Sequence, residues 1–218
     1  MTYEEIRRDA AVKVYITQAD ASMKALGFTE HSFAHVTRVA ESAGEILQTL
    51  EYPARTVELA KIAGYLHDIG NVVNRVDHSQ SGAVMAFRIL ERMNAAPEEI
   101  AVIVTAIGNH DEGNGVPVNA VAAALFLADK SDVRRSRVRN KERVAQDIHD
   151  RVNYSVTNSE LKLDVTQKTI ALKLTVDTQV SSVMEYFEIF MKRMLLCRQA
   201  AQRLGLTFHL TINGQTLV

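Results

Sequence analysis

Histidine and aspartate occur within segments that are otherwise apolar. His67 and Asp68 end the run LAKIAGYLHD, and Asp129 ends the run AVAAALFLAD. A carboxylate in an apolar helix costs free energy unless it pairs with a cation or binds a metal. Imidazole and carboxylate together suit divalent transition metals, so a shared metal ion would account for these residues. The alternative for Asp129 is an ion pair with a neighbouring cation such as Lys130 or Arg134.

Apolar periodicity and helix-end signals predict the helices that would hold these residues. The predicted helices cover about 3–26, 30–49, 54–67, 79–93, 97–109, 118–135 and 139–153. Ser79 is the predicted N-cap of the fourth. Neighbouring helix residues point about 100° apart, so His67 and Asp68 would flank one cleft at a helix end. Gly70 predicts a sharp exit of the chain from that helix.

The last part of the chain has a different pattern. Alternating apolar residues predict strands around Leu161–Val165 and Ile170–Val176, joined as a hairpin through Gln167 and Lys168. A helix over about 180–204 and a strand at Phe208–Ile212 follow. We therefore predict a mainly α protein, with a helical domain over 1–155 and a small β-β-α-β appendage over 156–218. The apolar face of the last helix could pack within the chain or form a homodimer.

The histidines and aspartates of the helical segments resemble, in order and local context, those of the HD-domain superfamily of metal-dependent phosphohydrolases. His35 in HVTRVAESAGEI is similar to its first histidine, His67 and Asp68 in LHDIG to its signature pair, and Asp129 in FLADKSD to its last ligand. The resemblance covers about residues 28–140. It implies the HD-domain helical bundle. It also implies that metal-activated water hydrolyses a phosphate ester or anhydride, with nucleotides as the leading substrate class.

Some branches of the superfamily have extra histidines that build a second metal site. His78 stands where one of these occurs, and His110 lies in NHDEGNG, which resembles a His-His-Glu segment with Asn109 in place of the first histidine. The resemblance implies one or two ions of Mn, Fe, Co, Ni or Zn and catalytic roles for Asp68, His110 and Lys130. The implied metal ligands are His35, His67, Asp68, His78, His110 and Asp129.

Cations outside the metal site would help to bind a phosphorylated substrate. Arg38 lies in the segment of the first histidine, and Lys130, Arg134 and Arg135 follow the last aspartate closely. Arginine binds phosphate through paired hydrogen bonds. Arg38, Arg134 and Arg135 are therefore predicted to bind substrate. The alternative is a solvated segment with local ion pairs.

Composition narrows the class of protein further. The chain has 218 residues, 47% of them hydrophobic and 23% charged, which is typical of a globular protein. With Cys197 as its single cysteine, it has neither an intramolecular disulfide nor a cysteine-rich zinc site. The net charge of -1 gives no general attraction to nucleic acid or membrane. We expect a cytoplasmic enzyme that acts on a small phosphorylated molecule. The alternative is a nucleotide-sensing binding module with the HD fold and weak or absent activity.

Overall fold

Helices form most of the chain up to Ser155 in the computed structural model, which describes residues 1–113 and 115–217. Its helices here are α1 (Tyr3–Arg8), α2 (Ala10–Ala25), α3 (Phe33–Thr49), α4 (Ala54–Leu66), α5 (His78–Arg92), α6 (Pro97–Gly108), α7 (Ala120–Ser131) and α8 (Ile148–Ser155). The tail contains β1 (Val156–Asp164), β2 (Thr169–Val176), α9 (Val183–Arg203), β3 (Thr207–Ile212) and β4 (Gln215–Thr216). The predicted mainly α class with a small C-terminal sheet is confirmed.

Two predicted helices differ from the structure at an aspartate, one by a break at Asp9 and the other by an earlier start after Asp77. The helix predicted over 3–26 is two helices, since Asp9 has an extended backbone and its carboxylate accepts a hydrogen bond from the amide of Val12. The N-cap predicted at Ser79 is wrong. Helix α5 already begins at His78, and its N-cap is Asp77 with φ of 56°. His78 is therefore the first residue of α5.

The segment that follows α7 is less helical than predicted. Short 3-10 turns at Arg135–Arg137 and Lys141–Arg143 replace the predicted end of one helix and the start of the next. The buried Arg137 donates hydrogen bonds to the backbone carbonyls of Glu30 and Asp132. The bond to Glu30 joins parts of the chain more than a hundred residues apart, so a local pattern could not reveal it.

Helix α7 runs through the middle of the helical body. Every residue from Val121 to Lys130 is buried, and α7 packs against α3, α4, α6 and α9. Helices α3 and α4 approach each other closely at Gly64, where an added Cβ would lie 2.7 Å from the Cα of Ala40. This close packing brings the start of α3 near the end of α4. None of the helices in the described residues is long and apolar enough to cross a membrane.

The tail forms a sheet with strand order β1-β2-β3-β4. Strands β1 and β2 form the predicted antiparallel hairpin, β2 and β3 run parallel with α9 as the crossover, and β4 adds a short antiparallel strand that was not predicted. Apolar residues of the sheet, of α9 and of the helical body belong to one buried cluster. Helix α9 also packs against α7. The division into domains at residue 155 stays a prediction.

Candidate metal centre

Five histidines and two aspartates come together at one cleft of about 500 Å3. Helices α3, α4 and α7 pack against one another, and their ends meet here. The residues come from five stretches of chain: His31 and His35 at the start of α3, His67 and Asp68 at the end of α4, His78 at the start of α5, His110 after α6, and Asp129 in the last turn of α7.

The buried carboxylate of Asp68 is at the centre of this group. Its Oδ2 atom lies 3.2 Å from Nε2 of His67, 3.5 Å from Nε2 of His35 and 4.0 Å from Nε2 of His31. Its Oδ1 atom lies 3.6 Å from Nε2 of His78 and 3.8 Å from Nε2 of His110. The two oxygens of one carboxylate thus face two different sets of imidazoles. Asp68 could therefore contribute ligand atoms to a metal site on either side, together with the histidines of that side.

The Nδ1 atom of each histidine ring is engaged on the side away from Asp68. Backbone carbonyls accept hydrogen bonds from four of them, and a carboxylate from the fifth. Since these oxygens can only accept, each Nδ1 carries the hydrogen, and in a neutral ring Nε2 then presents a lone pair. The acceptors are the carbonyl of Thr29 for His31, Asp132 for His35, and the carbonyls of Gly64, Arg75 and Ile107 for His67, His78 and His110.

Where the rings are neutral, their lone pairs therefore face the carboxylate oxygens with few donors between them. His35, whose pKa is raised to about 10, instead carries a proton on Nε2 that faces Asp68 and Asp129. The Nε2 atoms of His78 and His110 are 3.1 Å apart, and two lone pairs repel at that distance unless a cation or a proton lies between them. The donors at this point are the side chain of Asn71, which is 2.9 Å from Oδ1 of Asp68, and Nη1 of Arg75, 3.3 Å from Nε2 of His78. Imidazole nitrogens together with carboxylate oxygens form a ligand set that fits divalent transition metal ions.

Two groups of three residues have the spacing that one ion requires. The potential ligand atoms of His35, His67 and Asp129 all lie within 4.8 Å of one another, and so do those of His67, Asp68 and His110. All six histidines and aspartates predicted as ligands thus lie in one centre, with His78 beside the second group. Their role as ligands stays a prediction. His31, which is not among the six predicted ligands, borders the centre because its Nε2 atom lies 4.0 Å from Oδ2 of Asp68.

The pKa values of the histidines reflect two opposing effects. Burial and Arg137 lower the pKa of His35, but hydrogen bonds to Asp129, Asp132 and Asp68 outweigh them and raise it to about 10. Burial dominates at His78, whose pKa falls to about 4. The centre therefore combines a strongly anionic side, where a positive charge is favoured, with a neutral imidazole that can donate its lone pair.

Asp129 faces two histidines of the predicted metal site and also pairs with Lys130, the neighbouring cation considered as its alternative partner. Its Oδ1 atom lies 3.4 Å from Nε2 of His35 and 3.7 Å from Nε2 of His67, while its Oδ2 atom is 2.7 Å from Nζ of Lys130. Lys130 is buried and also lies 3.4 Å from Glu112. Burial lowers the pKa of Lys130, but Asp129 and Glu112 outweigh it and raise the pKa above its usual value. Lys130 therefore brings a permanent positive charge to the edge of the centre.

Arg193 of α9 is a residue of the cleft that sequence reasoning missed. Its guanidinium donates to Oε1 of Glu112 at 2.8 Å and lies 4.0 Å from the ring centroid of Phe190. Glu112 thus lies between Lys130 and Arg193, and all of these residues line the cleft. The apolar pattern of α9 gave no indication of this, since an arginine on an amphipathic helix ordinarily faces solvent. The tail supplies one wall of the cleft.

The three arginines predicted to bind substrate do not line the histidine cleft. Arg134 donates to Oδ1 of Asp132 at 2.8 Å, and Nε of Arg38 lies 3.5 Å from the same oxygen. Arg135 pairs with Asp177 at 3.1 Å. All three line another cleft. Ion pairs fix these side chains outside the histidine cleft, and their role in substrate binding stays a prediction.

Asp132 is a second residue that the sequence did not single out. It is 2% exposed, and its Oδ2 atom accepts the hydrogen bond from Nδ1 of His35 at 2.8 Å. Such outer partners orient a metal-binding histidine and increase its basicity. The only sequence signal was its position three residues after Asp129, where α7 ends.

We expect Asp132→Asn to weaken metal binding about 10- to 100-fold without unfolding the protein, which is the usual cost of losing an outer partner of a ligand. The affinity can be measured by competition with a chelating dye. Glu30→Gln is the matched control, because Glu30 shares Arg134 with Asp132 but is not the residue that orients His35. Equal losses in the two variants would contradict an orienting role for Asp132.

The comparisons with known proteins agree with this geometry. An uncharacterized protein of Methanocaldococcus jannaschii is 25% identical over 186 residues, which cover 74% of this chain and 71% of that protein. No solved structure matches the chain significantly. The family described as HD domain matches residues 32–150, a range that contains His35, His67, Asp68, His110 and Asp129. This match covers more than half of the chain, and the protein therefore belongs to the HD domain family.

Proposed function

We propose that this protein is a metal-dependent phosphohydrolase that cleaves a phosphate ester or anhydride bond in a nucleotide. HD domains are generally metal-dependent hydrolases. The observation that best supports the proposal is the convergence of histidine Nε2 atoms on both oxygens of the buried Asp68. Buried acceptors that face one another are costly unless a cation joins them.

The two sides of Asp68 would hold separate ions. His35, His67 and Asp129 offer ligand atoms on the Oδ2 side, and His78 and His110 offer them on the Oδ1 side. A bound divalent ion lowers the pKa of a coordinated water and offsets negative charge on a phosphoryl oxygen.

The chain's own cations would hold the phosphate of the substrate. Lys130 and Arg193 lie on either side of Glu112 at the cleft. Glu112 holds both cations close together before substrate arrives. An arriving phosphate would bring the negative charge that both cations can bind, and arginine offers it paired hydrogen bonds. The guanidinium of Arg193 lies over the ring of Phe190, and this contact helps to hold it in place. The cleft volume of about 500 Å3 accommodates a ligand of nucleotide size.

Metal content and turnover together test the proposal. Elemental mass spectrometry of the purified protein should find one or two equivalents of transition metal. Phosphate release from a panel of nucleotides should depend on that metal and disappear with a chelator. His110→Asn should lose both metal and activity, whereas His209→Asn, a histidine in β3, should lose neither. Bound metal without turnover on any nucleotide would favour the nucleotide-sensing alternative. Neither metal nor turnover after addition of Mn, Fe, Co, Ni or Zn would refute the enzyme.

We expect Arg193→Gln to raise KM about 10-fold or more while metal content stays unchanged, since a hydrogen bond to a charged group contributes about 1.5–3 kcal/mol. Steady-state kinetics on the best nucleotide of the panel provide the measurement. Arg198→Gln is the control, because Arg198 is an exposed arginine of the same helix outside the residues that line the cleft. An unchanged KM in Arg193→Gln would exclude this arginine from phosphate binding.

A further inference from the structure

A second cleft is lined by four cations: Arg38, Arg134, Arg135 and Lys141. We call it the basic cleft. Its volume is about 470 Å3, which falls in the range of about 300–1,000 Å3 that is usual for small-molecule sites. Its other described lining residues are uncharged, and it shares none of them with the histidine cleft: Ser136, Val138, Tyr154, Thr157, Asn158 and Ser159.

The acids that pair with Arg38 and Arg134 are less exposed than these arginines, whereas Asp177 is 35% exposed beside Arg135 at 38%. The side chain of Asp132 is 1% exposed, whereas that of Arg38, 3.5 Å from it, is 55% exposed. Arg134 also pairs with Glu30, whose side chain is 15% exposed. The carboxylates of Asp132 and Glu30 therefore lie behind these two arginines, and no described residue lining the cleft is acidic. The buried Arg137, which lies 3.9 Å from Asp132, adds further positive charge behind the cleft.

Contacts within the protein hold the side chains of Arg134 and Arg135 in place. Nε of Arg135 donates to the carbonyl of Tyr154, its Nη2 atom donates to Asp177, and its guanidinium lies 4.6 Å from the ring centroid of Tyr154. Arg134 is held by Asp132 and by Glu30. A side chain that is fixed before binding loses little entropy when a ligand arrives, so the arginines are prepared for an anion.

We propose that the basic cleft is a second binding site, for a small phosphate-bearing anion. Guanidinium groups match phosphate oxygens, and the four cations of the cleft together with Arg137 outnumber the three carboxylates that pair with the arginines: Asp132, Glu30 and Asp177. The size of the cleft favours a small molecule. A nucleic acid would need a longer basic surface, whereas the whole chain carries a net charge of -1.

The site is connected to the metal centre by hydrogen bonds. Arg134 donates to Oδ1 of Asp132, and Oδ2 of the same carboxylate accepts from His35. Arg134 thus lies two hydrogen bonds from His35, a predicted metal ligand, and a phosphate bound by Arg134 would lie one hydrogen bond further away. This link does not depend on hydrolysis, so the proposal holds for an enzyme and for a sensor alike.

Imidodiphosphate, which resists hydrolysis, is a suitable probe, and isothermal titration calorimetry of the metal-loaded protein at low ionic strength measures its binding. Metal content is checked after titration, because the probe can chelate. We expect two binding events. Lys141→Glu should weaken one of them at least 10-fold and leave the other, which Arg193→Gln should weaken instead. Lys13→Glu, the same charge reversal at an exposed lysine of α2, should leave both unchanged.

Arg135→Gln provides an independent check, with the melting temperature showing whether the variant is folded. The proposal is overturned if both basic-cleft variants bind the probe as the parent does, or if Lys13→Glu loses as much as Lys141→Glu. Binding of a single-stranded RNA at this cleft, without binding of imidodiphosphate, would overturn it in favour of a nucleic-acid surface. None of these outcomes requires turnover. Phosphate release with an empty basic cleft would therefore refute this site and leave the proposed function standing.

Discussion

Asp68→Asn is expected to remove bound metal and abolish phosphate release. The substitution preserves shape but deletes a negative charge and turns one carboxylate oxygen into an NH2 donor. An NH2 group cannot coordinate a metal ion, so the side of Asp68 that receives it loses a ligand atom. That side is either the one facing His35 and His67 or the one facing His78 and His110. We expect metal affinity to fall by more than the ~10- to 100-fold that the loss of an outer partner costs.

Elemental mass spectrometry and phosphate release measure the two effects separately. Asp164→Asn is the matched control, because it makes the same chemical change at an exposed aspartate at the end of β1. Circular dichroism should show that both variants keep their helices. A fully metal-loaded and active Asp68→Asn protein would mean that the metal site does not depend on this carboxylate.

Gly70→Ala is expected to destabilise the protein by about 3 kcal/mol or more, at or above the upper end of ordinary overpacking. An added Cβ would lie 2.0 Å from the carbonyl oxygen of His78 and 2.4 Å from the backbone nitrogen of Gly82. Backbone atoms cannot move aside as a flexible side chain can. Helix α5 would have to shift, and His78 would move with it. Chemical denaturation measures the loss of stability, and metal analysis measures the damage to the centre.

Gly108→Ala controls for the general effect of adding a methyl group to a glycine. Its nearest contact would be 3.7 Å, to the Cβ of Ala83, which is ordinary van der Waals distance. We expect a change of no more than about 1 kcal/mol, favourable because alanine restricts the unfolded chain. Gly70 lies in a 3-10 turn at Ile69–Val72 that packs against α5. If Gly70→Ala were as stable as Gly108→Ala, this close packing would not be essential.

Several features of the site follow from the sequence alone. Apolar runs that end in His67, Asp68 and Asp129 indicated buried polar groups that need a partner, and their order with His35 indicated the family. These signals are local, because the cost of burying a carboxylate depends on the apolar residues beside it in the helix. The alternating pattern likewise located β1, β2 and β3, since side-chain alternation is intrinsic to a strand.

What local patterns could not supply is the direction of side chains that meet from distant parts of the chain. Tertiary structure decided that Asp132 orients His35, that Arg193 of the tail joins Lys130 at Glu112, and that the three predicted substrate arginines line a separate cleft. The physical reason is the same in each case. The sequence does not indicate the partner of a charged side chain that lies outside a metal-ligand motif and outside an apolar run. Its partner is selected by the packing of helices that are far apart along the chain.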